Sequence, residues 1–399
     1  MSKVVVRAGL GLAVVVVAAQ VMAADWTRWR GPDGNGITEE KGWSPAALAQ
    51  GPKIAWKADV QNGYSAVSVA AGHVYTMGNR DKKDTIWCLD EKTGAKVWSH
   101  SYPCEGGSYE GPRATPTVED GLVYTISRNA QVFCLRATNG EVVWSRELFK
   151  DSKAANIGWG IAGSVCIEGK LLLVNVGESG AALDKATGKT VWASAGKSGY
   201  STPVVVTAKG KRVAVLFSQN DVRAVEVQTG AKLWSHPWET RYDVNAADPV
   251  MDGNRVFISS GYDKGCAMLD VTTSTPKVVW QQKNMRNHFS TCVLWKGHLF
   301  GIDGNTGGGT LRCLDWKTGQ EKWSHDTGFG SLIIADEKLI ILNENGHLSV
   351  AEASLTGYKE LAAGRIIERK VCWTAPVLSN GRLYGRNSHG DLVCVTLAP

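Results

Sequence analysis

Aromatic, guanidinium and carboxylate side chains recur at one place in this chain, just ahead of short runs rich in Val, Thr and Ala. Tyr109 and Arg113 precede ATPTVED, Trp159 precedes AGSVCIEG, and Tyr200 precedes TPVVVTAKG. Arg241 and Asp243 precede ADPVMDG, His288 precedes TCVLWKG, and Trp373 precedes APVLSNG. Flat rings and guanidinium forks are the groups with which proteins anchor partner surfaces and sugar- or quinone-sized ligands. Hydrolytic and metal chemistry find no matching pattern: the sequence has no Gly-x-Ser-x-Gly, no His-Glu-x-x-His and no paired zinc-ligand spacing. The stretch GIDGNTGGGT at 301–310 lacks the Lys-Ser/Thr ending and following helix of a phosphate loop, and reads as a long hairpin loop.

The elements that position these side chains are repeats. A turn followed by tryptophan returns as LDEKTGAKVW (Trp98), LRATNGEVVW (Trp144), LDKATGKTVW (Trp192), VEVQTGAKLW (Trp234), LDVTTSTPKVVW (Trp280) and LDWKTGQEKW (Trp323). Successive tryptophans are 46, 48, 42, 46 and 43 residues apart. A period in the forties with four strand-like runs per unit predicts an all-β chain folded as a β-propeller of four-stranded antiparallel blades. Gly94, Gly140, Gly188, Gly230 and Gly319 stand at one point of the turn, where positive φ is expected. Blade five carries extra residues at Ser274–Pro276. Blade seven, AEASLTGYKEL, ends in Leu361 in place of Trp.

Closure sets the blade count. The last unit, TAPVLSNGRLYGRNSHGDLVCVTLAP, supplies three strands, and KIAWKADV lies ahead of the first complete unit with Trp56 placed 42 residues before Trp98. Residues 53–60 are therefore expected to complete the final blade and close an eight-bladed ring, which removes exposed strand edges. Seven blades is the competing count should the weak repeat near Leu361 not form one. Loops leading into the innermost strands share one face with the loops joining strands two and three, whereas the Thr-Gly turns lie on the other. The functional side chains above all fall on the first face.

The N-terminus reads as an export signal over residues 1–23: Lys3 and Arg7, an apolar run Ala8–Ala19, and small residues ending at Ala23. A strap (24–52) and one propeller domain (53–399) follow. A periplasmic or secreted monomer that does not insert in the membrane after cleavage is expected. Removing Lys3 and Arg7 takes the formal charge from +6 to +4 with no dense basic run, so nucleic acid is not an expected partner. Of nine cysteines, Cys88, Cys134, Cys313 and Cys394 share one repeat position, held by Ala182 and Ala224 in blades three and four. That alternation predicts a small buried site rather than a disulfide or a metal cluster.

The repeats and the strap-like DWTRWRGPDGNGI at 25–37 resemble the PQQ-like β-propeller family over nearly all of residues 25–399. That family includes quinoprotein dehydrogenases and the non-catalytic lipoprotein propeller of outer-membrane assembly. The resemblance to the catalytic branch implies a PQQ- and calcium-dependent oxidoreductase acting on alcohols or sugars. Asp243, in WETRYDVNAADPV, would then be the candidate base and Glu178, in VGESGAALD, the candidate calcium ligand. Departures favour the other branch: the chain has no adjacent Cys-Cys pair, and Ala182 stands where the calcium-ligand glutamate would be. The expected reading is a non-catalytic binding or scaffold module without cofactor or metal. Its partner is expected to be an envelope protein or a small-molecule or glycan ligand. The binding face comprises Tyr109, Arg113, Trp159, Tyr200, Arg241, Asp243, His288 and Trp373.

Overall fold

The computed structural model describes residues 25–49 and 51–397. The expected export signal lies outside them. Eight antiparallel sheets form the ring, so the weak repeat near Leu361 is a true blade. Blade one runs outward as Ser68–Ala70, His73–Arg80, Lys83–Asp90 and Lys96–Pro103. Blade eight joins Val377–Ser379, Arg382–Arg386 and Asp391–Thr396 to the N-terminal strand Ile54–Asp59, with Trp56 opposite Cys394. The ring closes as the period requires. Helix is limited to single turns such as Ala46–Ala49 and Leu148–Asp151, and among the described residues none is long and apolar enough to cross a membrane.

At five junctions the repeating tryptophan bonds one blade to the next. Trp56 Nε1 donates to Glu91 O (3.0 Å), Trp98 to Ala137 O (2.8 Å), Trp144 to Lys185 O (3.1 Å), Trp192 to Val227 O (2.8 Å) and Trp323 to Ser354 O (2.9 Å). Each acceptor belongs to the following blade. The turn glycines are explained twice over. Gly94, Gly140, Gly188, Gly230 and Gly319 have φ of 69–73°, and a Cβ there would stand 2.5–2.7 Å from the preceding blade's indole ring. The cysteine site faces the same tryptophan across strands: Cys88 pairs with Trp98, Cys134 with Trp144, Cys313 with Trp323, and in blade three Ala182 with Trp192. Tyr75, Tyr124, Phe300 and Tyr384 flank the cysteines on the other side. A small residue between two rings is what packing permits there.

Blade seven departs from the expectation at Leu361. Its turn is two residues longer than that of blade one, pairing Ala351 with Glu360 where Leu89 pairs with Lys96, so that Ala362, opposite Val350, holds the tryptophan position, while Leu361 is 37% exposed. The strap supplies the missing volume. Trp43 and Leu48, the latter in the one-turn helix Ala46–Ala49, pack in one buried cluster with Ala362. The strap also adds Ile37–Thr38 to blade seven, parallel to its inner strand Gly330–Ala335.

Two outcomes test this architecture. Trp56→Ala should lower stability to urea by about 3–5 kcal/mol, as large-to-small changes in buried aromatic sites do, whereas exposed Lys57→Ala should change it by less than about 0.5 kcal/mol. All nine cysteines are free and buried, and burial pushes the Cys88 and Cys313 thiols up to about 12 and Cys134 and Cys394 to about 11. Alkylation should therefore be negligible in the folded protein and reach all nine thiols in denaturant without reductant. A bridge between any two would contradict the blade register.

Candidate functional site

The inner strands begin with a belt of small polar side chains that ties neighbouring blades around the axis. The amide of Thr115 donates to Ser164 Oγ (2.9 Å), that of Ser164 to Thr202 Oγ1 (2.9 Å), that of Thr202 to Asp248 Oδ1 (2.7 Å), and that of Asp248 to Thr291 Oγ1 (2.9 Å). Asp248 stands where its neighbours carry Ser or Thr, and its second oxygen serves the strap. Trp29 Nε1 donates to Oδ2 at 2.7 Å, and the Arg30 guanidinium lies 3.9 Å away while also donating to Cys292 O at 2.7 Å. Asp248 and Arg30 are both buried. Burial raises the Asp248 carboxyl above its ordinary range, opposed by Arg30.

The strap crosses the axis at the turn end. It pairs Trp26 with Val69 of blade one, accepts from Val118 N of blade two at Thr27 O (2.8 Å), and accepts from Ile334 N of blade seven at Gly36 O (2.9 Å). Trp29 thereby contributes to the wall of an axial cavity of about 410 Å³. Around that cavity, rings touch in series. Tyr242 meets Tyr262 (5.2 Å between centroids), Tyr262 meets His288 (4.8 Å), and His288 meets Phe289 (4.5 Å). Phe289 meets Trp373 (4.9 Å), which stacks on Tyr64 (5.4 Å, 21° between planes) and touches Tyr109 (5.8 Å). Trp159 and Tyr200 form a separate pair at 6.1 Å.

Six of the eight expected face residues line the cavity: Tyr109, Arg113, Trp159, Tyr200, His288 and Trp373. Arg241 and Asp243 do not. Both are exposed in a short 3-10 turn, where Arg241 lies over the Tyr242 ring (4.9 Å) and Asp243 accepts from Gln219 Nε2 (2.7 Å). Glu178 is also outside the cavity, paired at 2.7 Å with Arg223. Burial lowers the pKa of His288, so its ring is neutral at neutral pH. The sequence reading missed Trp29, Asp248 and Phe289 as wall residues. Asp248 could have been noticed as the acid among the Ser/Thr positions.

Three tyrosines in this region have left-handed backbones: Tyr109 (φ 55°), Tyr242 (φ 66°) and Tyr262 (φ 52°). Bulky residues adopt this region at an energetic cost, and such strain concentrates at functional sites. Tyr109 and Tyr242 are 56% and 55% exposed, which leaves large aromatic surface facing solvent.

The strap latch yields a prediction. Asp248→Ala leaves Arg30 buried without its counter-charge and should destabilise the protein by about 3–5 kcal/mol. Arg30→Met combined with Asp248→Thr should recover most of that loss. Urea unfolding of the three proteins checks it.

Comparison with known proteins follows the fold. The family described as outer membrane protein assembly factor BamB matches residues 82–325, more than half of the chain. An assembly factor BamB from Shewanella oneidensis is 26% identical over 275 residues, and the match spans 63% of this chain and 66% of that protein. The crystal structure of BamB from Moraxella catarrhalis is similar with a TM-score of 0.64 at 14% identity, covering 86% of this chain and 99% of that one. Quinohemoprotein alcohol dehydrogenase from Comamonas testosteroni has a TM-score of 0.70 at 12% identity over 94% of this chain and 80% of that one, a likeness of fold. The repeats, the ring and the family match agree: this chain belongs to the outer membrane protein assembly factor BamB family.

Proposed function

We propose that this protein is a non-catalytic scaffold of the bacterial envelope that docks a partner protein on its loop face during outer-membrane protein assembly. Membership of the assembly-factor family supports the setting. The observation that carries the docking face is the exposed pair Tyr109 and Tyr242, held in left-handed backbone beside the axial cavity. Rigid exposed aromatics give large contact area at low entropic cost. Among the described residues the turn end exposes no comparable ring. Its Thr-Gly turns bond internally, as where Asp90 accepts from Thr93 N (2.8 Å) and Oγ1 (2.7 Å).

The donor set argues against a resident quinone with calcium. Glu178 is committed to Arg223 and Asp243 to Gln219, and neither lines the cavity. Among the described residues no group of three or more His, Cys, Asp or Glu side chains is placed to hold a metal ion. Among the described residues Arg113 and Asp248 are the only charged residues lining the cavity, and a tricarboxylate quinone would need more than one cation there.

Photo-crosslinking in the native envelope tests the docking face. A benzophenone amino acid at Tyr109 or Tyr242 should capture a partner protein, and one at Lys92 or Lys317 on the turn end should not. Alanine at Arg241 and Tyr242 should weaken the captured complex by about 1–3 kcal/mol each. Capture from the turn positions alone would overturn the assignment.

A further inference from the structure

The axial cavity holds a cation with no counter-charge. Arg113 donates to Tyr109 O (3.1 Å) and Gly111 O (3.4 Å) of its own loop, and its Cζ lies 5.6 Å from the Tyr64 ring centroid. A guanidinium has five N–H donors, so these two bonds leave three without a protein acceptor. Among the described residues no carboxylate lies within 4.0 Å of it. Burial, then the nearby Arg128 charge, lower its pKa to about 10, so it remains a cation at neutral pH while poorly compensated.

The buried arginines of this protein lie outside the cavity, and most are provided for; Arg128 is the exception, donating only to Gly106 O. Arg30 faces Asp248, and Arg223 faces Asp221 and Glu178 at 2.6 and 2.7 Å. Arg386 also lacks a carboxylate, but it donates to the carbonyls of Ser65, Met77 and Gln61 and to Thr76 Oγ1 at 2.7–3.0 Å. It does not line the cavity. Of the two charged residues that do, Asp248 is already engaged by Trp29, Thr202 and Arg30. The wall therefore presents one uncompensated positive charge among aromatic rings. A desolvated cation gains from an anion, whereas a neutral sugar would leave it unpaired. A volume of about 410 Å³ suits a small organic ligand.

We propose that this cavity binds a flat aromatic monocarboxylate, its carboxylate on Arg113 and its ring against Trp373 and Phe289. The ligand is free and small; Tyr109 borders its site, whereas Tyr242, the other tyrosine proposed to dock a partner, does not line it. Binding needs no partner, so failure of the crosslinking experiment and failure of this proposal are separately visible.

Calorimetric titration of the full chain with β-naphthoate and its neutral isostere β-naphthamide tests it. The acid should bind roughly 10- to 100-fold more tightly than the amide, the range expected for a charge-assisted hydrogen bond. Arg113→Gln should abolish that preference, Arg113→Lys should keep part of it, and Trp373→Leu should weaken both ligands. Circular dichroism of each variant reports folding. Should Arg113→Gln not fold, the acid-to-amide ratio on the unaltered protein still decides. Absence of binding, equal binding of acid and amide, or a preference that survives in folded Arg113→Gln would each overturn the proposal.

Discussion

From blade eight round to blade four, each blade is held against the next by an indole lying on a glycine turn, Trp56 on Gly94, Trp98 on Gly140, Trp144 on Gly188 and Trp192 on Gly230, and the ring depends on that contact. The tryptophan donates to a carbonyl of the neighbouring turn while its ring covers the glycine. One residue thus supplies buried apolar area and a satisfied N–H at the same junction. Positive φ and ring contact both require glycine, so the two residues constrain each other across blades. The residue opposite the tryptophan is Cys or Ala in most blades, which suits the same packing, while in blade five the flexible Met268 stands opposite Trp280 and the indole still covers Gly319.

Where the device is missing, the strap takes over. Blade seven has Ala362 in place of the indole, and Trp43 with the helix Ala46–Ala49 fills the space. Thirty-odd residues between the start of the described chain and the closing strand therefore perform several tasks in order. Trp26, Thr27 and Trp29 cross the axis, Ile37–Thr38 extend blade seven, Leu48 packs beside Ala362, and Trp56 closes the ring. The ends of the chain are tied at one seam, where Ser44 N also donates to Leu397 O at 2.8 Å. Closure, floor and wedge are one continuous piece of backbone.

The ring was legible in the sequence because its governing contact repeats. Trp56 kept the period and so announced closure, and the Thr-Gly turns separated the two faces. The strap was recognisable as a segment, but its path was not, because it occurs once and no periodicity reports where a single strand crosses an axis. Asp243 and Arg241 were expected with the other face residues, yet a short 3-10 turn holds them outside the cavity. Left-handed tyrosines are equally hidden from sequence, since that conformation ordinarily signals Gly or Asn. Leu361 misled because the turn before it is longer than in blade one, pairing Ala351 with Glu360 where Leu89 pairs with Lys96, and this moves the tryptophan place on to Ala362.

The two ends of the propeller differ in how completely they satisfy themselves. At the turn end, the threonine hydroxyl and then its amide bond Asp90 and Asp184 locally, holding both carboxyls below their usual range. Those groups have no unmet demand that a partner could fill. At the loop end, tyrosines are strained and exposed, and the half-buried Arg113 guanidinium has donors to spare. Strain and unpaired charge cost stability in the isolated protein, and the stiff ring of docked indoles supports that cost without distortion. The proposal of recognition at the loop end therefore rests on energetic grounds as well as on residue type: it is the end where binding can return what folding leaves unsatisfied.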